Sequence, residues 1–227
     1  MYIFLSPHFD DAVGSAGGTI YSLAKNRKSI KIITVMGGVP ANKTYADYVL
    51  SRQAENEQAC SILAVPHQHA PFLDAIYRTN NLGVEIYQER DSIFKQDKIL
   101  EKELVQDVIK YIKTNSSPDD ILITPSALGN HIDHLIVKNA AQQSGRTVVY
   151  YEDFFYDTIA KNINYRDLFP VYLTKEQLTI KLQAIMAYKS QIRPLFKSSD
   201  GLLCYFNEFH TDKDVPVERF SSDLRSL

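Results

Sequence analysis

The chain has 227 residues, with 25 Lys or Arg against 27 Asp or Glu and a formal net charge of -2. That length fits one domain over residues 1–227 with a sizeable core, and the near-neutral charge gives no electrostatic case for nucleic acid. No apolar run approaches the roughly eighteen residues of a membrane span.

The opening strand-like run Tyr2–Leu5 leaves no room for a charged and then apolar leader, so a soluble, cytoplasmic protein is expected. It runs into Ser6-Pro7-His8-Phe9-Asp10-Asp11 and a glycine-bearing segment, after which apolar periodicity predicts a helix over about Gly18–Lys25. Further strands are expected at Ile30–Met36, Ile121–Thr124 and Thr147–Tyr151, all rich in β-branched or aromatic residues. The three-to-four residue spacing predicts helices over Tyr45–Leu63, Lys98–Thr114, from near His131 to Gln143, and Thr174–Lys189. Val65–Asp91 reads as loops and short strands, and beyond Ser190 the turn residues Pro194 and Ser198-Ser199-Asp200-Gly201 accompany no clear period. Strands alternating with helices argue for an α/β fold, a Rossmann-like three-layer sandwich with a mostly parallel sheet. Cys60 and Cys204 show no CxxC spacing, and Cys60 reads as a small core residue.

A histidine and two carboxylates just past a buried strand stand where open α/β sheets bind ligands. In an extended segment Asp10 and Asp11 point to opposite sides, so one can bind a metal while the other faces a water. The competing reading makes one of them a helix cap and His8 a polar strand-end residue. A second cluster, Asn130-His131-Ile132-Asp133-His134, follows another strand end. If a helix begins near Asn130, His131 and His134 share a face and Asp133 is placed to orient one imidazole. Otherwise Asn130 is an N-cap followed by two exposed histidines. Two such clusters, each at a strand-to-helix junction, are better explained as one site. Two His and one Asp suit catalytic zinc, with a position left for water, and the same donors accept iron, manganese or cobalt. No HExxH is present, so a zincin-type peptidase is not supported.

Pro7-His8-Phe9-Asp10-Asp11 with Gly17-Gly18-Thr19 resembles the PHPDD…GGT signature of the LmbE/PIG-L family of zinc-dependent N-deacetylases, and His131-Ile132-Asp133-His134 is similar to its HxDH motif. Arg52-Gln53-Ala54-Glu55, Phe72-Leu73-Asp74 with Arg78, and Lys181, Ala184, Tyr188, Ser190 and Gln191 are similar to later family segments, so the likeness spans about residues 1 to 191. The resemblance implies that His8, Asp11 and His134 bind Zn2+ and that Asp10 is the general base. It implies that His131, oriented by Asp133, stabilises the oxyanion or protonates the leaving amine. The substrate it implies is a small-molecule N-acetylated amino sugar or glycoconjugate.

The chain departs from that pattern at Phe9, where proline is usual, and at Ala12, where glutamate is common. Arg52, Asp74 and Arg78 are candidate substrate contacts, set against ordinary helix-surface ion pairs. His67 and His69 alternate as in a strand, and Tyr150, Tyr151, Tyr156 and Tyr165 are candidates to stack on a sugar ring, against a core or interface role. The alternative function is a non-catalytic module for a sugar or nucleotide-sugar. The glycines of Gly14–Gly18 suggest a nucleotide ligand, although the GxGxxG spacing is missing. No motif sets an oligomeric state.

Overall fold

The computed structural model describes residues 1–94, 101–154 and 168–224. Strand β1 (Tyr2–Ser6) lies inside the sheet between two parallel neighbours and is buried on both faces. That burial is why it reads as a near-continuous apolar run. On one side of it come β2 (Ile30–Thr34) and β3 (His67–His69), reached through α1 (Asp11–Lys25) and α2 (Lys43–Ile62). After α3 (Lys102–Thr114), the strands β4 (Ile121–Pro125) and β5 (Thr147–Tyr151) add on the other side, joined by α4 (Ile132–Gln143). The parallel order is β3-β2-β1-β4-β5. The winding therefore reverses between β1 and β4, which opens a crevice at their carboxyl ends. Both histidine–aspartate motifs follow those two strand ends.

Alternation along β1 sends Phe4 into a core shared with α1, α2 and α5 (Lys175–Met186), and Ile3 and Leu5 into a second core against α3 and α4. The result is the expected three-layer α/β sandwich. No helix among the described residues is long and apolar enough to cross a membrane.

The carboxy-terminal part is more ordered than its sequence suggested. It contains β6 (Phe169–Tyr172), α6 (Lys189–Phe196), α7 (Ser199–Phe209), β7 (Thr211–Asp212) and β8 (Val215–Phe220). Pro194 sits inside α6, and the Ser198 hydroxyl caps α7 by accepting the Gly201 N–H, so residues read as turn formers serve helices. Strand β8 runs antiparallel to both β5 and β6. The predicted strand Ile30–Met36 ends at Thr34. The helix predicted from Lys98 is observed from Lys102, and residues 98–100 lie outside the described ones, as do Tyr156 and Tyr165.

The helix expected from Gly18 starts instead at Asp11 and breaks at Ala16 (φ -131°). Glu218 on β8 explains the break. Its carboxylate accepts the N–H groups of Gly18 (2.8 Å) and Thr19 (2.9 Å) and the Thr19 hydroxyl (2.6 Å). Lys181, fully buried, pairs with it at 2.8 Å. A Cβ on Gly18 would stand 2.7 Å from Leu173 Cδ2 and 3.3 Å from Glu218 Oε1, so any larger residue there would push the buried Leu173 side chain aside. These N–H groups are occupied inside the protein, which removes the reason to read Gly14–Gly18 as a nucleotide-binding loop.

Candidate active site

The site is assembled first by its own loop. The Ser6 hydroxyl donates to the His8 carbonyl (2.5 Å) and accepts the Ala12 N–H (2.9 Å), while the His8 N–H donates to Asp11 Oδ2 (2.7 Å). Asp10 stands at the N-cap of α1 but makes no capping bond with its side chain, so the capping alternative does not account for the paired aspartates. Across the crevice His131 is the N-cap of α4, in place of Asn130, and its Nδ1 accepts the Asp133 N–H at 3.2 Å. Asn130 instead takes φ 54°, a left-handed conformation that asparagine tolerates.

These two junctions bring His8 Nδ1 to 3.1 Å and His134 Nε2 to 3.3 Å from the same atom, Asp11 Oδ2. The donor atoms of His8, Asp11 and His134 lie within 4.8 Å of one another and all three residues are buried. Each imidazole is fixed from behind by a further buried carboxylate. His8 Nε2 meets Asp133 Oδ2 at 3.0 Å, and His134 Nδ1 meets Asp153 Oδ1 at 2.6 Å. Imidazoles that hold a cation through one nitrogen usually have the other bound to a carboxylate or carbonyl, and this donor set fits a divalent cation such as zinc.

The charges are strongly interdependent. Burial opposes ionisation of Asp11, yet His134 and His8 hold its carboxyl well below the usual range. Burial likewise opposes a charge on the two histidines, but Asp74 and Asp11 raise His8 well above its ordinary value, and Asp11 and Asp153 raise His134 to about 9. Carboxylates thus outweigh burial here, and the pocket favours positive charge between them.

Asp10 is placed differently. Its Oδ1 accepts Arg52 Nη2 at 3.0 Å, and burial raises its pKa against the opposing Arg52 charge. Phe9, the departure from proline, lies under the Arg52 guanidinium at 5.3 Å, packs perpendicular to the His69 ring, and its carbonyl accepts the Tyr188 hydroxyl. The aromatic ring therefore holds Arg52 toward Asp10. Ala12 packs fully buried in the core.

A family model described as GlcNAc-PI de-N-acetylase, PIG-L, matches residues 3–144, the span that contains both motifs. The chain belongs to the PIG-L family. Among its relatives is the 2'-N-acetylparomamine deacetylase of Niallia circulans, 26% identical over 86% of this chain and 82% of that protein. The zinc-inhibited form of teicoplanin deacetylase Orf2 superposes with a TM-score of 0.83 at 23% identity over 96% of both chains. The A40926 pseudoaglycone deacetylase Dbv21 does so at 0.72 and 22% identity over 96% of this chain and 94% of that one. At such identities the two structures speak for the fold.

Within this PIG-L chain two expectations need correcting. Asp133 does not orient His131 through its carboxylate, whose partners are His8, the Ala75 N–H (2.9 Å) and Arg78 Nη1 (2.5 Å). It is the Asp133 backbone that reaches His131. Arg78 does not offer its guanidinium to a substrate. It is buried and held by Asp133, by the Leu73 carbonyl and by both oxygens of Glu101. Asp74 caps the 3-10 turn Ala75–Tyr77 through the Ile76 N–H and places Oδ2 3.8 Å from His8 Nε2. His69 faces Asn56 and the Phe9 ring, and its neighbour His67 is exposed on the edge strand, so neither joins the donor cluster. Tyr151 is buried with its hydroxyl on the Leu5 carbonyl, and Tyr150 bonds Gln142, which places them in the scaffold.

The functional residue that sequence reasoning left without a role is Asp153. Its signal was present, since it follows β5 as an acidic residue just past a third parallel strand end. Its contact to His134, 19 residues away in the chain, appears only when β5 packs beside β4.

Proposed function

We propose that this protein is a metal-dependent N-deacetylase that hydrolyses the acetamide of an N-acetylated amino sugar or glycoconjugate, with zinc as its resident metal. The observation that carries the reading is the convergence of His8 Nδ1 and His134 Nε2 on Asp11, with Asp10 beside them and outside the donor set. The relatedness to an acetylparomamine deacetylase supports the sugar amide as substrate.

His8, Asp11 and His134 hold the metal, and Asp133 and Asp153 fix the two imidazoles. When bound, zinc supplies a water of lowered pKa and polarises the amide carbonyl. Asp10 takes the proton of the attacking water, and its raised pKa makes it a better acceptor than an ordinary aspartate. Arg52 keeps that carboxylate in place before and after it is protonated. Burial, reinforced by His8, lowers His131 to about 3, so this imidazole is neutral. With Nδ1 accepting the Asp133 N–H, its proton resides on Nε2. It therefore stabilises the developing oxyanion as a neutral hydrogen-bond donor. The proton held by Asp10 then passes to the departing nitrogen, so acetate and a free amine are released.

The test uses zinc-loaded protein and an N-acetylglucosaminide, with acetate release as the readout. Asp10→Ala is expected to keep zinc and lose most turnover, whereas His134→Ala loses the metal as well. Full activity in Asp10→Ala would sink the assigned base.

A further inference from the structure

Arg52 holds the carboxylate end of Asp10. The backbone end of the same residue is held by groups to which the chemistry above gives no task. The Phe9 carbonyl belongs to the peptide unit that enters Asp10, so its direction sets where the Asp10 backbone begins. Phenylalanine, unlike proline, has no ring to lock its φ, so that direction has to be fixed by contacts. At 2.8 Å the Phe9 carbonyl meets the Tyr188 hydroxyl, which also lies 2.8 Å from the side-chain amide of Asn56. The other end of that amide is 2.9 Å from His69 Nε2. Phe9, Asn56 and Tyr188 are buried, and Asn56 has no solvent exposure.

The available protons give this row of hydrogen bonds a direction. A phenol carries one proton and a carbonyl none, so Tyr188 donates to Phe9 and takes its second bond from Asn56. The two ends of a side-chain amide are told apart by their partners. The amide NH2 of Asn56 therefore faces Tyr188, with Cys60 Sγ at 3.8 Å as a weak acceptor for its second N–H, and the amide oxygen faces His69. The reverse setting would press the lone pairs of Tyr188 and Phe9 together at 2.8 Å in the core, with no proton between them. His69 then carries its proton on Nε2. Burial, with His67 beside it, lowers the pKa of His69, so the ring is neutral, and burial raises Tyr188 well above an ordinary phenol, so its proton stays in place.

Every donor in the row points inward from β3, and bonds aligned in this way polarise one another. Asn56 follows Arg52 by four residues on α2, so the two share a helix face. That face reaches Asp10 at both ends, through Arg52 at the carboxylate and through Asn56 and Tyr188 at the peptide. We propose that His69, Asn56 and Tyr188 are positioning residues that aim Asp10 at the water it deprotonates. This inference rests on the deacetylase reading and adds these residues to its proton-transfer step. His8 is held separately, its carbonyl by Ser6 and its N–H by Asp11. Loosening the Phe9 carbonyl therefore disturbs Asp10 and spares the metal.

The experiment measures kcat and KM for acetate release from an N-acetylglucosaminide by zinc-loaded variants, with zinc affinity from competition with a chelator. Tyr188→Phe is expected to lose about 10–100-fold in kcat, the cost of misplacing a reacting group by about 1 Å. KM and zinc affinity should stay close to wild type. His69→Leu should lose about five-fold in kcat, the worth of one neutral hydrogen bond. His69→Gln, which offers an amide N–H in place of Nε2–H, should recover most of that loss. The double variant Tyr188→Phe/His69→Leu should be no slower than Tyr188→Phe alone, because His69 acts only through Tyr188.

Wild-type kcat in Tyr188→Phe, losses that multiply in the double variant, or zinc affinity falling with kcat each overturn the proposal and leave the deacetylase reading standing. His69→Gln as slow as His69→Leu overturns it too, and this pair decides alone if Tyr188→Phe does not fold. Nitrogen NMR of the wild-type protein tests the direction of the row: a proton on His69 Nε2 is expected, and one on Nδ1 overturns it. If wild type releases no acetate, the deacetylase reading fails on its own. The row is then judged by hydrogen exchange of the Gly14 N–H, which the Asp10 carbonyl accepts at 2.8 Å. Exchange about ten-fold faster in Tyr188→Phe, relative to the amides of β2, is expected, and an unchanged rate overturns the positioning role.

Discussion

His8 Nε2 lies 3.0 Å from Oδ2 of Asp133, a carboxylate with no solvent exposure that Arg78 and the Ala75 N–H hold from other sides. With Nε2 turned to that carboxylate, Nδ1 is the nitrogen that faces Asp11. Asp153 does the same for His134 from the end of β5. Asp133→Asn and Asp153→Asn are each expected to weaken zinc binding by about 10–100-fold, measured by competition with a chelator. Wild-type affinity in both variants would show that the two rings are oriented without them.

Arg78 joins two carboxylates, the buried Asp133 on one arm and the partly buried Glu101 on the other, and it lies over the Tyr87 ring at 5.4 Å. Removing one partner of such a pair leaves uncompensated charge in the interior. Arg78→Met is therefore expected to cost about 3–5 kcal/mol of stability, read from urea denaturation. A variant of wild-type stability with a raised KM would return Arg78 to the substrate contacts.

The Lys181–Glu218 pair bridges α5 and β8 where α1 breaks. Lys181→Met leaves Glu218 with only its neutral donors at Gly18 and Thr19, at a cost of about 3–5 kcal/mol, and Lys181→Met/Glu218→Gln should recover part of it. Strict additivity of the two single losses in thermal or urea unfolding would mean that the groups do not act as a pair.

Burial pushes the Cys60 thiol up to about 12, whereas Cys204 is exposed. At pH 8 the Cys60 thiolate is suppressed by about four powers of ten. Alkylation of the folded protein should label Cys204 alone, and Cys60 should react only in denaturant. Mass spectrometry of peptides from protein alkylated at pH 8 decides this, and stoichiometric label on Cys60 would contradict the packing around Asn56 and Leu63.

Several elements were legible because local chemistry and tertiary role coincide. β1 and β4 are buried parallel strands, so they appear as apolar runs, and a motif that follows such a run is placed at the sheet's carboxyl edge. The amphipathic α3 was visible for the matching reason, since Val105, Val108, Ile109 and Ile112 face one core. β6 was not, because its Phe169, Pro170 and Tyr172 are exposed and carry no burial alternation. The break in α1 was hidden because its cause, Glu218, is 200 residues from Gly18.

The sequence by itself determined that His8, Asp10 and Asp11 follow one buried strand and His131 to His134 another, since apolar runs and motif spacing are properties of short segments. Only the tertiary structure decided what each residue faces. The reversal of winding between β1 and β4 sets the two motifs against each other, and it turns Asp133 to His8, Asp153 to His134 and Arg52 to Asp10. Those pairings depend on which strands become neighbours, and neighbourhood across a sheet is fixed by long-range packing that no local pattern carries.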